Sequence, residues 1–292
     1  MKCRAAAVLL LVCLMFSGCA WGGGTDLAPP PQARLTVFTS HEPAVYEPII
    51  REFEARTGLW VEVEQAETAE LMQRLETEKS GCDVLFGLCA EELEDADPAL
   101  QEAWFPVSSR PLVLIYNPKL VRQNLPQGWA ALTDDAWEGT VAFPDPASRE
   151  GLLALSMAAQ SGADLALLSR NLSGSLPADA AQVVDLVAEG RFYIGIALED
   201  TALAAIDGGS DLSVTLPAEG TAALIDGALV VPGCPHPANA AQFAAFLQSR
   251  DVRRMLKTQL HRRPVWETFE ALTVDPAEVL AQWQALWKEA SP

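Results

Sequence analysis

The chain has 292 residues, half of them hydrophobic, and a formal net charge of −19. That length allows two domains with cores of their own. The charge, with no basic cluster beyond the short run His261-Arg262-Arg263, argues against a nucleic-acid partner, and acidity alone names no ligand.

The N-terminus carries a targeting pattern. Lys2 and Arg4 precede an apolar run over residues 5–16, too short to span a bilayer, and Ser17-Gly18 stand before Cys19. Residues 1–18 are therefore expected to be a signal peptide. Residues 19–34 read as a tether, flexible at Gly22-Gly23-Gly24 and stiffer at Pro29-Pro30-Pro31. Beyond it stand Cys82, Cys89 and Cys234, an odd number with no zinc-ligand spacing, so no disulfide or metal cluster is assigned.

The stretch 35–58 organises the rest of the chain. Leu35, Val37 and Phe38 predict a buried strand, and Val45, Ile49 and Phe53 recur at helical spacing. Ser40 is expected to cap that helix, Pro43 to sit in its first turn, Pro48 to disturb it and Thr57-Gly58 to end it. Ligands of open α/β sheets lie beyond the carboxyl ends of the strands, which makes Thr39, Ser40, His41 and Glu42 candidate contacts. A strand over 59–64, a helix over 68–79 and a strand over 82–87 complete a βαβαβ pattern with parallel strands. Gly87 ends that third strand at the same edge. The acidic run 91–97 reads as a solvated surface.

Next come an apolar strand over 111–116 ending at Tyr116, a strand over 140–143 and a helix over 151–160 with Leu152, Leu155 and Ala159 inward. Ser148 and Arg149 open that helix, where unpaired N–H groups and a partial positive charge suit an anion; an ordinary cap is the plainer reading. A helix over 178–189, a strand over 192–198 and a helix opened by Glu199-Asp200-Thr201 follow. These two carboxylates suit a hard cation or an amine, or merely cap the helix. Strands over 212–216 and 222–231, the latter holding Asp226-Gly227, precede helices over 238–248, 251–259 and 276–289. Nucleophile-elbow, His-Glu-x-x-His and P-loop motifs are absent, and His41, His236 and His261 are far apart, so neither an enzyme nor a cofactor is expected.

In this order the pieces resemble the iron(III)-type branch of periplasmic solute-binding proteins that feed ABC importers. The resemblance rests on strand, Thr39-Ser40, helix and Phe53-Glu54 with Thr57-Gly58; on Asp83-Val84 with Gly87; on Trp137-Glu138-Gly139 and Phe143-Pro144-Asp145-Pro146; on Pro217 to Thr221 and Asp226-Gly227; and on Arg262-Arg263-Pro264-Val265. It implies an α/β, two-domain type II periplasmic-binding-protein fold, with mixed sheets flanked by helices and a ligand cleft at a two-strand hinge. Domain one would be 35–110 and 226–292, with the C-terminal helices packed on it, and domain two 111–225. It further implies a monomeric receptor, partnered by a permease and ATPase, closing on a small-molecule or metal ligand. Tyr116 and Asp226 would lie at the hinge. Glu199 and Asp200 stand where ferric members carry adjacent tyrosines, so tyrosinate-bound iron is not expected, and Glu42, Glu199, Asp200 and Asp226 against Arg149 favour a cationic or zwitterionic solute over an anionic phosphonate or carboxylate. The segment before Cys19 resembles a lipoprotein signal, which implies acylation of Cys19 and a membrane-anchored, exported protein. A sensory module on the same fold is the alternative role.

Overall fold

The computed structural model describes residues 33–290 apart from 78–80, 173, 175 and 178. The expected signal peptide, Cys19 and nearly all of the tether lie outside the described residues.

The first half follows its sequence pattern. Strand β1 (Arg34–Thr39), helix α1 (Pro43–Thr57), strand β2 (Trp60–Gln65), helix α2 (Thr68–Thr77) and strand β3 (Val84–Cys89) alternate, and β1 lies between β2 and β3, parallel to both. Leu35 and Val37 turn one face of β1 onto Ile49, Ile50 and Phe53 of α1, each buried side chain stabilising by about 1.5–3 kcal/mol. Pro43 occupies the first turn, α1 continues through Pro48, and Gly58 (φ 70°) closes it with its N–H on the Glu54 carbonyl. Asp83, fully buried, accepts from the backbone N–H groups of Thr36 and His236 at 2.8 and 2.7 Å and faces His236 Nδ1 at 2.9 Å. One carboxylate thereby ties β1 and β3 to the chain entering the C-terminal helices.

After β3 a short 3₁₀ turn, Ala90–Leu93, buries Leu93. The acidic run is therefore only partly a solvated surface. A short helix α3 (Pro98–Ala103), capped by Asp97 and absent from the sequence reading, leads into strand β4 (Trp104–Tyr116), which begins at Trp104 rather than at the expected residue 111. The remaining elements are β5 (Val141–Ala142), α4 (Arg149–Gln160), α5 (Leu165–Asn171), α6 (Ala180–Ala188), β6 (Ile194–Leu198), α7 (Glu199–Asp207), β7 (Ser213–Thr215), β8 (Ala223–Val230), α8 (Pro237–Leu247), α9 (Arg250–Gln259) and α10 (Pro276–Ala290). The inward face of α4 is Ala154, Leu155, Met157 and Ala158; Leu152 and Ala159 are only half-buried.

The strands follow the order β2-β1-β3-β8-β4-β6-β5, with β7 also on β4. β4 and β8 run through the middle. The first part of β4, Trp104 to Pro111, pairs antiparallel with β8, whose other edge pairs with β3, while Leu112 to Tyr116 pair with β6. Two long antiparallel strands thus join two mixed α/β halves, as a two-strand hinge requires.

Each half has its own core. Phe243 and Leu247 of α8 and Val252 and Leu256 of α9 join Leu35, Val37 and Phe53. Trp129, Phe143, Leu155 and Ile196 form the second, and here α10 departs from expectation: Val279 and Trp283 bury themselves in this core, against α4 and α5. The cause is aromatic. Trp283 stacks between Phe143 at 6.4 Å and Trp287 at 5.3 Å, so the apolar stripe of α10 finds its partners in the second half.

Candidate functional site

The turn between β1 and α1 is built by short polar bonds. His41 N–H donates to Thr39 Oγ1 at 3.1 Å, and Ser40 Oγ donates to the Gly87 carbonyl at 2.5 Å. Ser40 is therefore not the helix cap: the capping position is Glu42, which makes no side-chain cap bond. The His41 ring lies edge-on to Phe86 at 4.6 Å and directly over Gly87, where an added Cβ would stand 2.9 Å from the ring. Gly87 (φ 104°) gives the ring room at a break in the β3–β8 register. Burial pushes the His41 pKa well below its usual value, and Arg262 and Arg110 push it further down. The imidazole is neutral, and its Nε2 is buried with no hydrogen-bond partner among the described residues.

Opposite this turn stands the first turn of α7. Between them opens a cavity of about 530 Å³ lined by Ser40, His41, Glu42, Arg110, Asp200, Thr201, Ala204 and the turn after α9, including His261 and Arg262. The arginines arrive there by backbone pairing. Ser109 and Arg263 exchange N–H···O bonds at 2.8 and 3.0 Å, laying the Arg262-Arg263 turn beside β4 and bringing Arg262 next to Arg110. Arg110 Nε meets Asp200 Oδ2 at 2.7 Å; Arg262 Nε approaches the same oxygen at 3.3 Å, while its Nη1 bonds Asp226 Oδ2 at 2.5 Å. Burial disfavours the charge on Arg110, but Asp200 and Asp226 outweigh it and hold the pKa above its ordinary value. His261 closes one side in a left-handed conformation (φ 52°), its Nε2 2.9 Å from Asp207 Oδ2. A non-glycine residue held there is strained, as is common at ligand sites.

A model of the bacterial extracellular solute-binding protein family matches residues 35–259. The chain belongs to that family. It is 24% identical to iron uptake protein A1 of Synechocystis, over 86% of this chain and 81% of that protein. Its fold resembles the apo ferric ion-binding protein A of Pasteurella haemolytica (19% identity, TM-score 0.67, 88% of this chain and 96% of that one) and iron-bound HitA of Pseudomonas aeruginosa (19%, 0.65, 89% and 99%). It also resembles the periplasmic binding protein AfuA of Actinobacillus pleuropneumoniae with fructose-6-phosphate bound (18%, 0.63, 88% and 97%). These likenesses establish the periplasmic-binding-protein fold expected from the sequence.

Of the residues expected at the ligand, Ser40, His41, Glu42 and Asp200 come together in the cavity of this solute-binding protein. Others do not. Thr39 is fully buried behind the turn, and Gly87 lies beneath His41. Tyr116 packs at the margin of the second core. Ser148 is spent as a cap, accepting from Gly151 N–H at 3.0 Å and donating to the Asp145 carbonyl at 2.7 Å. Arg149 turns away to pair with Glu92 and to reach Cys89 Sγ at 3.1 Å. Cys89, like Cys82 and Cys234, is a free buried thiol, its pKa pushed up to about 12 by burial and then by Asp226.

Of the four carboxylates counted toward a cation, three are matched by arginine, and Glu42 is exposed. Glu199 takes a two-pronged contact from Arg263, with both distances 2.6 Å, beside a separate smaller cavity; Asp226 holds Arg262; Asp200 serves two arginines. Among the described residues, no group of three or more His, Cys, Asp or Glu side chains is placed to hold a metal ion. The sequence reading missed Arg110 and Arg262 as site residues. Arg110 carries a signal of its own, an ionisable residue immediately before the apolar run Pro111 to Tyr116, and a charge entering a hinge strand needs a buried partner.

Proposed function

We propose that this chain is the receptor of an ABC importer, capturing a small polar solute in the cleft between the β1–α1 turn and α7 and delivering it to a membrane permease. The observation that carries the reading is the two-sided cavity: Ser40 and His41 come from one half, Asp200 and Thr201 from the other, and Arg110 from the strand that joins them. Hinge closure about β4 and β8 would bring both sets onto one ligand. Family membership supports an exported binding protein. Acylation at Cys19, membrane anchoring and a monomeric state belong to the same proposal.

We carry over the role of the iron-binding relatives and not their metal. Glu199 and Asp200, the positions at which the resemblance sets ferric ligands, are each engaged by arginine. A thermal-shift screen tests the reading: ferric citrate, divalent metals, polyamines, amino acids, phosphonates and sugars against wild type and Ala204→Trp. Ala204 is exposed on α7 and lines the cavity, so the indole fills the cleft without touching the core. One class is expected to stabilise wild type, by about 2.7 kcal/mol at a hundredfold excess over Kd, and to leave the variant unmoved. Equal shifts in both would place binding elsewhere.

A further inference from the structure

The donors and acceptors of the cavity do not balance. A guanidinium carries five N–H groups. Arg110 spends only Nε, on Asp200; its two Nη nitrogens make no hydrogen bond among the described residues, and a fifth of its side chain stays exposed at the cavity. Arg262 spends Nη1 on Asp226 and directs Nε to Asp200, leaving Nη2 without a bond. Two of the cavity's carboxylates, by contrast, are engaged. Asp200 Oδ2 meets both arginines and its Oδ1 accepts from Thr201 N–H at 3.0 Å, while Asp207 faces His261. Among the cavity's carboxylates Glu42 alone makes no side-chain bond to the described residues, on an exposed residue, and Thr201 and Gln259 add only neutral acceptors. None of these Nη groups is among the buried atoms left without a partner, so they stand open at the cavity, where an acceptor-rich group can take their N–H bonds.

On the reading of this cleft as a solute site, we infer that the solute presents an oxyanion, a carboxylate or a phosphoryl group, to the Nη edge of Arg110, with Arg262 behind it. Asp200 and Asp226 orient the two forks rather than bind the solute. A guanidinium edge matches the paired oxygens of both anions. The neutral His41 beside them adds no carboxylate to repel such a group, its pKa being lowered first by burial and then by Arg262 and Arg110.

The test uses the full chain at constant pH and ionic strength, replacing chloride with acetate or citrate in one arm and with inorganic phosphate or glycerol phosphate in the other; glucose and putrescine serve as neutral and cationic probes. Wild type, Arg110→Lys and the double variant Arg110→Gln with Asp200→Asn are compared by thermal shift. The double variant replaces the ion pair by two amides of similar size, and Arg110→Lys keeps the charge beside Asp200 should the amide pair fail to fold. One anion arm is expected to raise the Tm of wild type in a saturable way, identifying the group as carboxylate or phosphoryl. The double variant is expected to bind about 10- to 100-fold more weakly and the lysine variant to fall between. If glucose or putrescine stabilises wild type while both anion arms match chloride, the cleft is a receptor and the oxyanion assignment is wrong. An anion effect that survives both variants also overturns it. If no probe of any class binds, the receptor reading itself fails.

Discussion

Arg110 Nε lies 2.7 Å from Asp200 Oδ2, a bond that ties the strand crossing between the halves to the first turn of α7. Because the same oxygen approaches Arg262 Nε at 3.3 Å, one carboxylate organises two arginines of the cleft. Replacing Asp200 by Ala leaves both guanidinium groups short of a partner in a largely buried setting. The expected loss is about 3–5 kcal/mol in urea unfolding, and the paired change Arg110→Gln with Asp200→Asn is expected to recover part of it. A loss that merely adds between the two sites would separate the residues energetically.

Glu199 provides the contrast. It neighbours Asp200 in sequence, yet it serves Arg263 beside a different cavity. Glu199→Ala is therefore expected to lower Tm while leaving the affinity for whichever solute stabilises wild type unchanged, as read by isothermal titration. An affinity loss matching that of an Asp200 variant would put Glu199 in the binding site.

The buried His41 predicts a pH dependence. Its folded pKa is lowered by burial and then by the arginines. Above the unfolded value of about 6.5 the ring is neutral in both states and its contribution is intact. As pH falls from there through the folded pKa, the unfolded chain takes up a proton that the folded chain refuses, and stability drops by up to about 1.4 kcal/mol per pH unit. His41→Phe keeps a ring and removes this slope. Urea unfolding near pH 7 and near pH 5 is expected to give a smaller difference for the variant than for wild type.

Much of the architecture was legible in the sequence, because β1, α1, β2 and β3 each satisfy a local pattern: Val61 alternates with Trp60 and Glu62, and Ile49 and Phe53 share a face. Elements set by partners far along the chain were harder to read. Nothing local near Trp104 announces a strand; it pairs there because β8 supplies the opposite edge. Trp283 likewise shows an apolar stripe without saying which core it enters. At the site, the β1–α1 turn could be placed from topology, but the pairing of Arg110 with Asp200 and of Arg262 with Asp226 spans 90 and 36 positions. Counting charges in sequence therefore mistook bound carboxylates for available ones.

Two glycines separate backbone strain from packing. Gly58 (φ 70°) has open space where a Cβ would stand, whereas at Gly87 (φ 104°) the Cβ would sit 2.9 Å from the His41 ring. Gly58→Ala is expected to cost about 1 kcal/mol, the left-handed penalty alone. Gly87→Ala is expected to cost more and also to weaken solute binding by displacing His41. Equal losses without a binding effect would show that His41 gives way freely.

The cleft as the binding site is tested most directly by native mass spectrometry of wild type and Ala204→Trp after each has been incubated with the same small-molecule extract of the producing cells. A bound molecule of low mass, released on unfolding, is expected on wild type and none on the variant. The same adduct on both proteins, or none on either, would contradict a solute site in this cleft.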